Sequence, residues 1–477
     1  MRQSFGRCAV AILLLQVGEA ALAQGEPRAA VRPFLRSEAA AFLLSNARVI
    51  DGTGSPAREG QSIAIENGVI TAIGAAGNVD TPAGAEVIDL AGDTILPGLV
   101  MLHEHIAYSS GNGGSLSADE ILDSHPNSIP KLLLAAGVTT ARTAGAGTPQ
   151  ADINLQRRIE RGTAVGPTLF VTGPFLNGPR GFRDPILDDF VVETAEEARE
   201  VVRFWVRQGA TSVKAYENLG PEALRGAIEE AHRLGAHVAG HLGAGTSCAE
   251  AAELGIDTIE HAFGSCLLDL FPLLDADGRL DLEEHGDAVG ALIDTLVGHG
   301  VVLVATPFDG PRRPPPPEEL EEILSMLSPQ WRSVIPPLAP ESLPPGIPEF
   351  VFNRGETART LERRFVAAGG RLLVGADAMY GAVPGYANHL RLIALVEAGF
   401  TPLEVIRMVS SDAAAFLEIG ESTGRIAVGL EADLLVVRGA PDLDIYDIRN
   451  VEYVFSDGRA FDPKRLREAA KGLVGLH

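Results

Sequence analysis

The chain has 477 residues, 46% of them hydrophobic and 21% charged, and its formal net charge is -24. That length exceeds one comfortable core and points to a large domain with a smaller companion. So acidic a surface argues against nucleic acid and anionic membranes as partners, and leaves a small-molecule substrate and a homo-oligomer open.

In chain order, MRQSFGR supplies Arg2 and Arg7, CAVAILLLQVG is a short apolar run, and ALAQ closes it in small residues. This is the pattern of a secretory signal peptide over 1–23, cleaved after Ala23. The run is too short for a membrane span, so the expectation is a secreted or periplasmic protein. Cleavage removes Cys8 and leaves Cys248 and Cys266: one disulfide at most, and too few thiols for a cysteine-based zinc site. Residues 24–37 read as a linker and 464–477 as a C-terminal tail.

Residues 38–94 then alternate into short strands, with QSIAIENGVITAIG reading as a hairpin turning at Asn67-Gly68. Residues 424–463 carry a matching set, with a second hairpin signal at Asp457-Gly458. One β-sandwich assembled from both chain ends is expected. Between them, over 95–423, the rhythm changes. Apolar strands PGLVMLHEH, VTTARTAG, TLFVTGP, TSVKAY, HVAGH, DTIEHAF, VVLVATPF and LLVGADA alternate with helical stretches such as 194–208, 221–234 and 355–368. The pattern predicts an α/β fold, a (β/α)8 TIM barrel. A doubly wound sheet lacks its glycine-rich phosphate loop after the first strand. The Pro-rich stretch 309–349 reads as an irregular insertion after the seventh strand.

His103 and His105 end the first strand, Lys214 the fourth, His241 the fifth, His261 the sixth and Asp377 the eighth. Any one has an ordinary reading, such as a core histidine, a helix cap or a lysine reaching for water. Six polar groups at the C-terminal ends of five strands converge on one barrel rim, where chemistry is built. Imidazole and carboxylate donors suit zinc, and also manganese, iron or cobalt. A cationic lysine is no ligand, but a lysine carboxylated on its amine is an anion able to bridge two ions.

The set LPGLVMLHEH, GVTTARTAG, TSVKAY, GHLGAGTSCAEAAELGIDTIEH and LVGADA resembles the amidohydrolase superfamily, in particular its secreted imidazolonepropionase-like and prolidase-like branch. The resemblance covers nearly everything after the signal peptide. It implies a binuclear zinc site: His103, His105 and Asp377 on one ion, His241 and His261 on the other, and Lys214 as N6-carboxylysine between them. Where many relatives carry Asp two residues before the first histidine, this chain has Met101. The implied reaction is hydrolysis of a C–N bond in a small substrate, with Asp377 as general base and acid. Tyr216, His389, Tyr108 and Arg142, with Arg180 and Arg183, are the candidate substrate contacts. A carboxylate clamp among them would favour Xaa-Pro dipeptides or N-acyl amino acids. A lactonase or esterase on the same metals, and a non-catalytic metal- or solute-binding protein, are the alternatives. Cys248 and Cys266 follow ligands on adjacent strands and are candidates for a disulfide.

Overall fold

The computed structural model describes residues 29–106, 127–179, 190–307, 312–329, 332, 347–378 and 382–475. The expected signal peptide, Tyr108, Arg180, Arg183 and much of the Pro-rich stretch lie outside them. Seventeen strands appear among the described residues. β1 (Ala41–Val49), β2 (Arg58–Glu66), β3 (Val69–Ala75), β4 (Glu86–Asp89) and β5 (Thr94–Pro97) come first. β6 (Leu99–Glu104), β7 (Val138–Thr143), β8 (Thr168–Phe170), β9 (Thr172–Leu176), β10 (Ser212–Ala215), β11 (His237–Gly240), β12 (Thr258–Glu260), β13 (Val302–Ala305) and β14 (Arg371–Val374) form the barrel. β15 (Leu434–Val437), β16 (Val451–Ser456) and β17 (Arg459–Phe461) close the chain.

The barrel strands run parallel in the order β6-β7-β8 and β9-β10-β11-β12-β13-β14. The third expected strand, TLFVTGP, is broken at Val171: its first half pairs with β7 and its second with β10. At the other seam, Asp377 N donates to His103 O at 2.9 Å. A Cβ on Gly375 would lie 2.0 Å from His103 Cβ, so glycine is what lets the end of β14 approach β6.

Helices cover the outside. Ala195–Gln208 begins with a capping box between Thr194 and Glu197 and stops at left-handed Gly209, the start and stop signals its sequence carries. The helix Ser411–Phe416 brings Phe416 against Val100, Leu102, Val304 and Leu373 of the inner cluster. Its ring lies 5.0 Å from that of His237, the first residue of β11, so it closes the end of the barrel away from the rim. No helix among the described residues is long and apolar enough to cross a membrane.

β6 explains the Met101 departure. Val100 and Leu102 pack in the inner cluster, whereas Met101 packs in the main layer with Leu134 and Ala141. Register with β7 shifts between Met101 and Glu104. A one-residue shift moves the following side chains to the other face, which gathers His103 and His105 on the site side and leaves Met101 in the core.

The two ends meet in one eight-stranded sheet, β17-β16-β15-β5-β1-β2-β3 with β4 on β1, rather than in two stacked sheets. It curls until Phe42 of β1 and Phe455 of β16 touch edge to face at 5.3 Å, so a single sheet encloses its own core. Both hairpins turn where expected, with positive φ at Asn67, Gly68, Asp457 and Gly458. The expected linker is partly structured: Val31 and Leu35 are buried, and Arg36 N donates to Ala460 O at 2.8 Å. The expected tail is a packed element as well. It holds the helix Pro463–Glu468, and Leu466, Ala470 and Val474, four residues apart, are all buried. The described part of the Pro-rich stretch contains the helix Pro317–Leu324 and docks on the C-terminal segment, Glu322 pairing with Arg467 at 3.0 Å and Arg313 with Asp444 at 2.7 Å.

Candidate metal centre

Each strand delivers its residue to the rim by the same device: an apolar run fixed between neighbours, then a polar side chain where pairing ends. His103 and His261 bring their rings to 4.8 Å, His103 and His105 to 5.2 Å, and His241 and His261 to 4.4 Å. His103, His261 and Asp377 each offer a ligand atom within 4.8 Å of the others. Asp377 Oδ1 is 3.3 Å from His105 Nε2, and His261 Nε2 is 2.9 Å from His241 Nδ1. Lys214 is 1% exposed on β10, where Glu260, Arg142 and Asp377 all act on its charge.

Hydrogen bonding sets the tautomers. His103 Nδ1 lies 2.5 Å from Glu260 Oε2, and His105 Nδ1 lies 3.2 Å from Gly145 O. A ring nitrogen facing a carboxylate or carbonyl carries the proton, which turns the acceptor Nε2 of both rings toward the site. Both Nε2 atoms face Asp377 Oδ1, at 3.7 and 3.3 Å. Three atoms able to ligate thus converge on one point, and a cation in their midst would be held by all three.

Protonation states agree. Burial, with the charge of Lys214, lowers His103 to about 4, and burial beside His103 lowers His261 to about 3. Burial and His261 hold His241 well below its ordinary value. All three are neutral near pH 7, the form that binds metal. Burial works to raise Asp377 but is outweighed by His103, His105 and His261, so its carboxyl stays ionised. Burial brings Lys214 down to about 8 against the pull of Glu260, so an uncharged amine is within reach near neutrality.

His261 and Asp377 have φ of 62° and 45°, and Ala262 has φ 45° with ψ -123°, a region open almost to glycine alone. Such strain costs on the order of 1–3 kcal/mol per residue and gathers at functional sites. Around it, a disulfide joins Cys248 to Cys266 with Cα atoms 5.5 Å apart, tying the segments that follow His241 and His261.

Two expected substrate contacts are placed elsewhere. Arg142 is 1% exposed inside the barrel, where Nη2 bonds Glu260 Oε1 at 2.6 Å, Nη1 bonds Thr258 Oγ1 at 3.3 Å and Nε bonds Leu102 O at 2.8 Å. With these donors committed, it neutralises Glu260 rather than clamping a substrate. His389 is buried with Nε2 on Ala136 O at 2.8 Å and lines a different cavity, because the first turn of its helix faces the barrel's flank. Tyr216 is near the ligands, its ring 4.9 Å from His241 and 5.0 Å from Phe175.

Sequence reasoning missed Glu260, which orients His103, and the trio Glu104, Asn388 and Arg391. Asn388 Nδ2 donates to Glu104 Oε1 at 2.7 Å, and Arg391 Nε to Ala376 O at 2.8 Å, bracing the segment that carries Asp377. The signal was there in DTIEHAF, where Thr258 and Glu260 alternate onto one face of an otherwise apolar strand.

The family model described as the amidohydrolase family matches residues 94–461. The chain belongs to the amidohydrolase family. Membership places it among hydrolases of carbon–nitrogen bonds built around a metal centre. An N-acyl-D-aspartate deacylase from Alcaligenes xylosoxydans xylosoxydans is 30% identical over 126 residues, 26% of this chain and 22% of the deacylase. The match therefore spans about a fifth of that relative's length. Among solved structures, a Xaa-Pro dipeptidase with bound methionine in its active site superposes with a TM-score of 0.67 at 22% identity, covering 88% of this chain and 100% of the dipeptidase. Phenylurea hydrolase B gives 0.67 at 20% identity, covering 89% and 97%, and the ochratoxinase of A. niger 0.64 at 19%, covering 89% and 96%. At these identities the superpositions establish the fold.

Proposed function

We propose that this amidohydrolase-family chain is an exported, metal-dependent hydrolase that cleaves the C–N bond of a small substrate, with Xaa-Pro dipeptides and N-acyl amino acids the classes to test first. The observation that carries the reading is the convergence of His103, His105 and His261 on Asp377. His103, His105 and Asp377 would hold one zinc ion, His241 and His261 a second, with Lys214, carboxylated on its amine, between them. Bound cations of this kind polarise a substrate carbonyl and lower the pKa of water toward neutrality.

The chain's own groups do the rest. Asp377, ionised and strained into place, takes a proton from the attacking water on a carboxylate oxygen and delivers it to the leaving nitrogen, so that amide and water become acid and amine. Glu260 holds the Nδ1 proton of His103 and keeps Nε2 on the site side. The wall of Phe175 and Tyr216 beside His241 suits a substrate side chain. A dipeptidase among the superposed structures and a deacylase in the sequence match support the substrate classes. The Cys248–Cys266 disulfide and the N-terminal pattern of Arg2, Arg7 and a short apolar run support export to an oxidising compartment.

The test is turnover by zinc-supplemented protein on Xaa-Pro dipeptides, N-acyl amino acids and their ester counterparts. Amide turnover is expected, with Asp377→Asn losing about 10²–10⁴-fold while metal is retained. Hydrolysis of esters alone, or full turnover in Asp377→Asn, would refute the reading.

A further inference from the structure

Three of the four rim histidines have a fixed partner behind the ring. His103 turns Nδ1 to Glu260 at 2.5 Å, His105 turns Nδ1 to Gly145 O at 3.2 Å, and His261 turns Nδ1 to Thr306 Oγ1 at 2.8 Å. His241 is mounted the other way round. Its Nδ1 faces inward, 2.9 Å from His261 Nε2, and its Nε2 faces outward, 3.5 Å from Glu217 Oε1.

The inward pair of nitrogens has two states. His241 Nδ1 and His261 Nε2 share one proton as a hydrogen bond, or they hold a cation and no proton. In the second state His241 is a neutral imidazole whose proton sits on Nε2. A ligating histidine almost always gives that outer N–H to a carboxylate, a carbonyl or water. Among the described residues, the carboxylate that faces His241 Nε2 is Glu217.

The backbone holds Glu217 at this place. It follows the end of β10 by two residues. Gly245 N donates to Glu217 O at 2.8 Å, and Asn218 N donates to Asn177 Oδ1 at 3.0 Å, so the loops after β11 and β9 pin the segment from both sides. A Cβ on Gly243 would lie 2.9 Å from Glu217 Cβ, so glycine is what lets the loop after His241 close on Glu217. Among the described residues no lysine or arginine pairs with Glu217, and no competing cation draws it from His241. The side chains of His241 and Glu217 are 30% and 40% exposed, against 1% and 0% for His103 and Glu260. The His241 pair is therefore the open edge of the cluster.

We propose that Glu217 is a positioning residue for the second ion: it accepts the Nε2–H of His241, fixes the tautomer that turns the Nδ1 lone pair inward, and so sets the affinity of the His241–His261 pair for metal. The inference rests on the two-ion reading given above. Glu260 plays the matching part for His103, and each ion then has a carboxylate behind one of its histidines.

Zinc titration of the metal-depleted full chain against a chromophoric chelator tests it, because the two ions are read as two binding steps. Glu217→Gln, which keeps the shape and an acceptor oxygen but removes the charge, should weaken the second step about ten-fold. Glu217→Leu, which removes the acceptor, should weaken it about 100-fold, the range such partners carry. The first step and the melting temperature of the metal-free chain should not move in either variant. Variants that load both ions as tightly as the parent overturn the proposal. So does an equal weakening of both steps, or a loss of stability without metal, since each would mark Glu217 as a structural residue only. A parent chain with no second step refutes the two-ion reading and this proposal with it, whereas two parental steps with unmoved variants refute the role of Glu217 alone.

Discussion

Glu260 and Arg142 show what a single buried pair does for a site. Glu260 is fully buried between His103 and Arg142. Burial works against its charge, but Arg142, Lys214 and His103 outweigh it and hold its carboxyl well below the usual range. Removing one partner of a buried pair strands the other charge, at a cost of about 3–5 kcal/mol. Arg142→Met should therefore destabilise the protein by that order in denaturant melts, and adding Glu260→Gln should recover part of the loss. A substrate clamp would behave differently: KM would rise and stability would stay. The six rim residues were legible because each ends an apolar strand, a pattern visible in one sequence. The role of Arg142 is not legible, because the sequence puts a cation on strand two without saying that Glu260, 118 residues later, meets it inside the barrel.

At the scale of elements, strand alternation alone would have put Met101, His103 and His105 on one face. The register shift in β6 breaks that parity, and no residue type in LVMLHEH announces it. The third strand likewise read as continuous, though its halves pair with different neighbours. Helices were more legible where caps are encoded in side chains, as at Thr194, Glu197 and Gly209. The disulfide was visible as a candidate from spacing, and the fold brings its cysteines together by setting β11 beside β12. It closes a loop of 18 residues. Cross-links of that length contribute about 3 kcal/mol, chiefly by restricting the unfolded chain. Cys248→Ser with Cys266→Ser is expected to lower the unfolding free energy by about that much, and reductant to do the same to the parent protein. Unchanged melts under reductant would contradict a structural role for the bridge.

For the whole molecule, the expectation that both chain ends build one β unit holds, while the boundaries at its edges do not. Val31, Leu35, Leu466 and Val474 are few and spread among polar neighbours, so composition hides the packing they make. Burial also gives the molecule a pH signature. Glu362 is pushed up to about 8 by burial, partly opposed by Arg359, and burial raises Glu104 and Asp433 to about 8 as well. The folded protein keeps protons that the unfolded chain releases at about pH 4. Their stabilising effect is therefore full below about pH 4 and lost as pH rises toward about 8. The buried histidines, neutral when folded but protonated in the unfolded chain below about pH 6.5, act in the opposite sense over that lower range. Melting temperature should therefore fall between about pH 7 and pH 8, and Glu362→Gln should flatten that fall; an unchanged slope would rule Glu362 out as its source.

The decisive number is the metal content, ion by ion, of protein grown with zinc and then dialysed, compared between the parent chain and a His103→Ala, His261→Ala double variant. Ligands arranged as described should retain about two ions per chain in the parent and release them in the variant. A parent chain that keeps none, or a variant that keeps as many as the parent, would show that these side chains hold no metal.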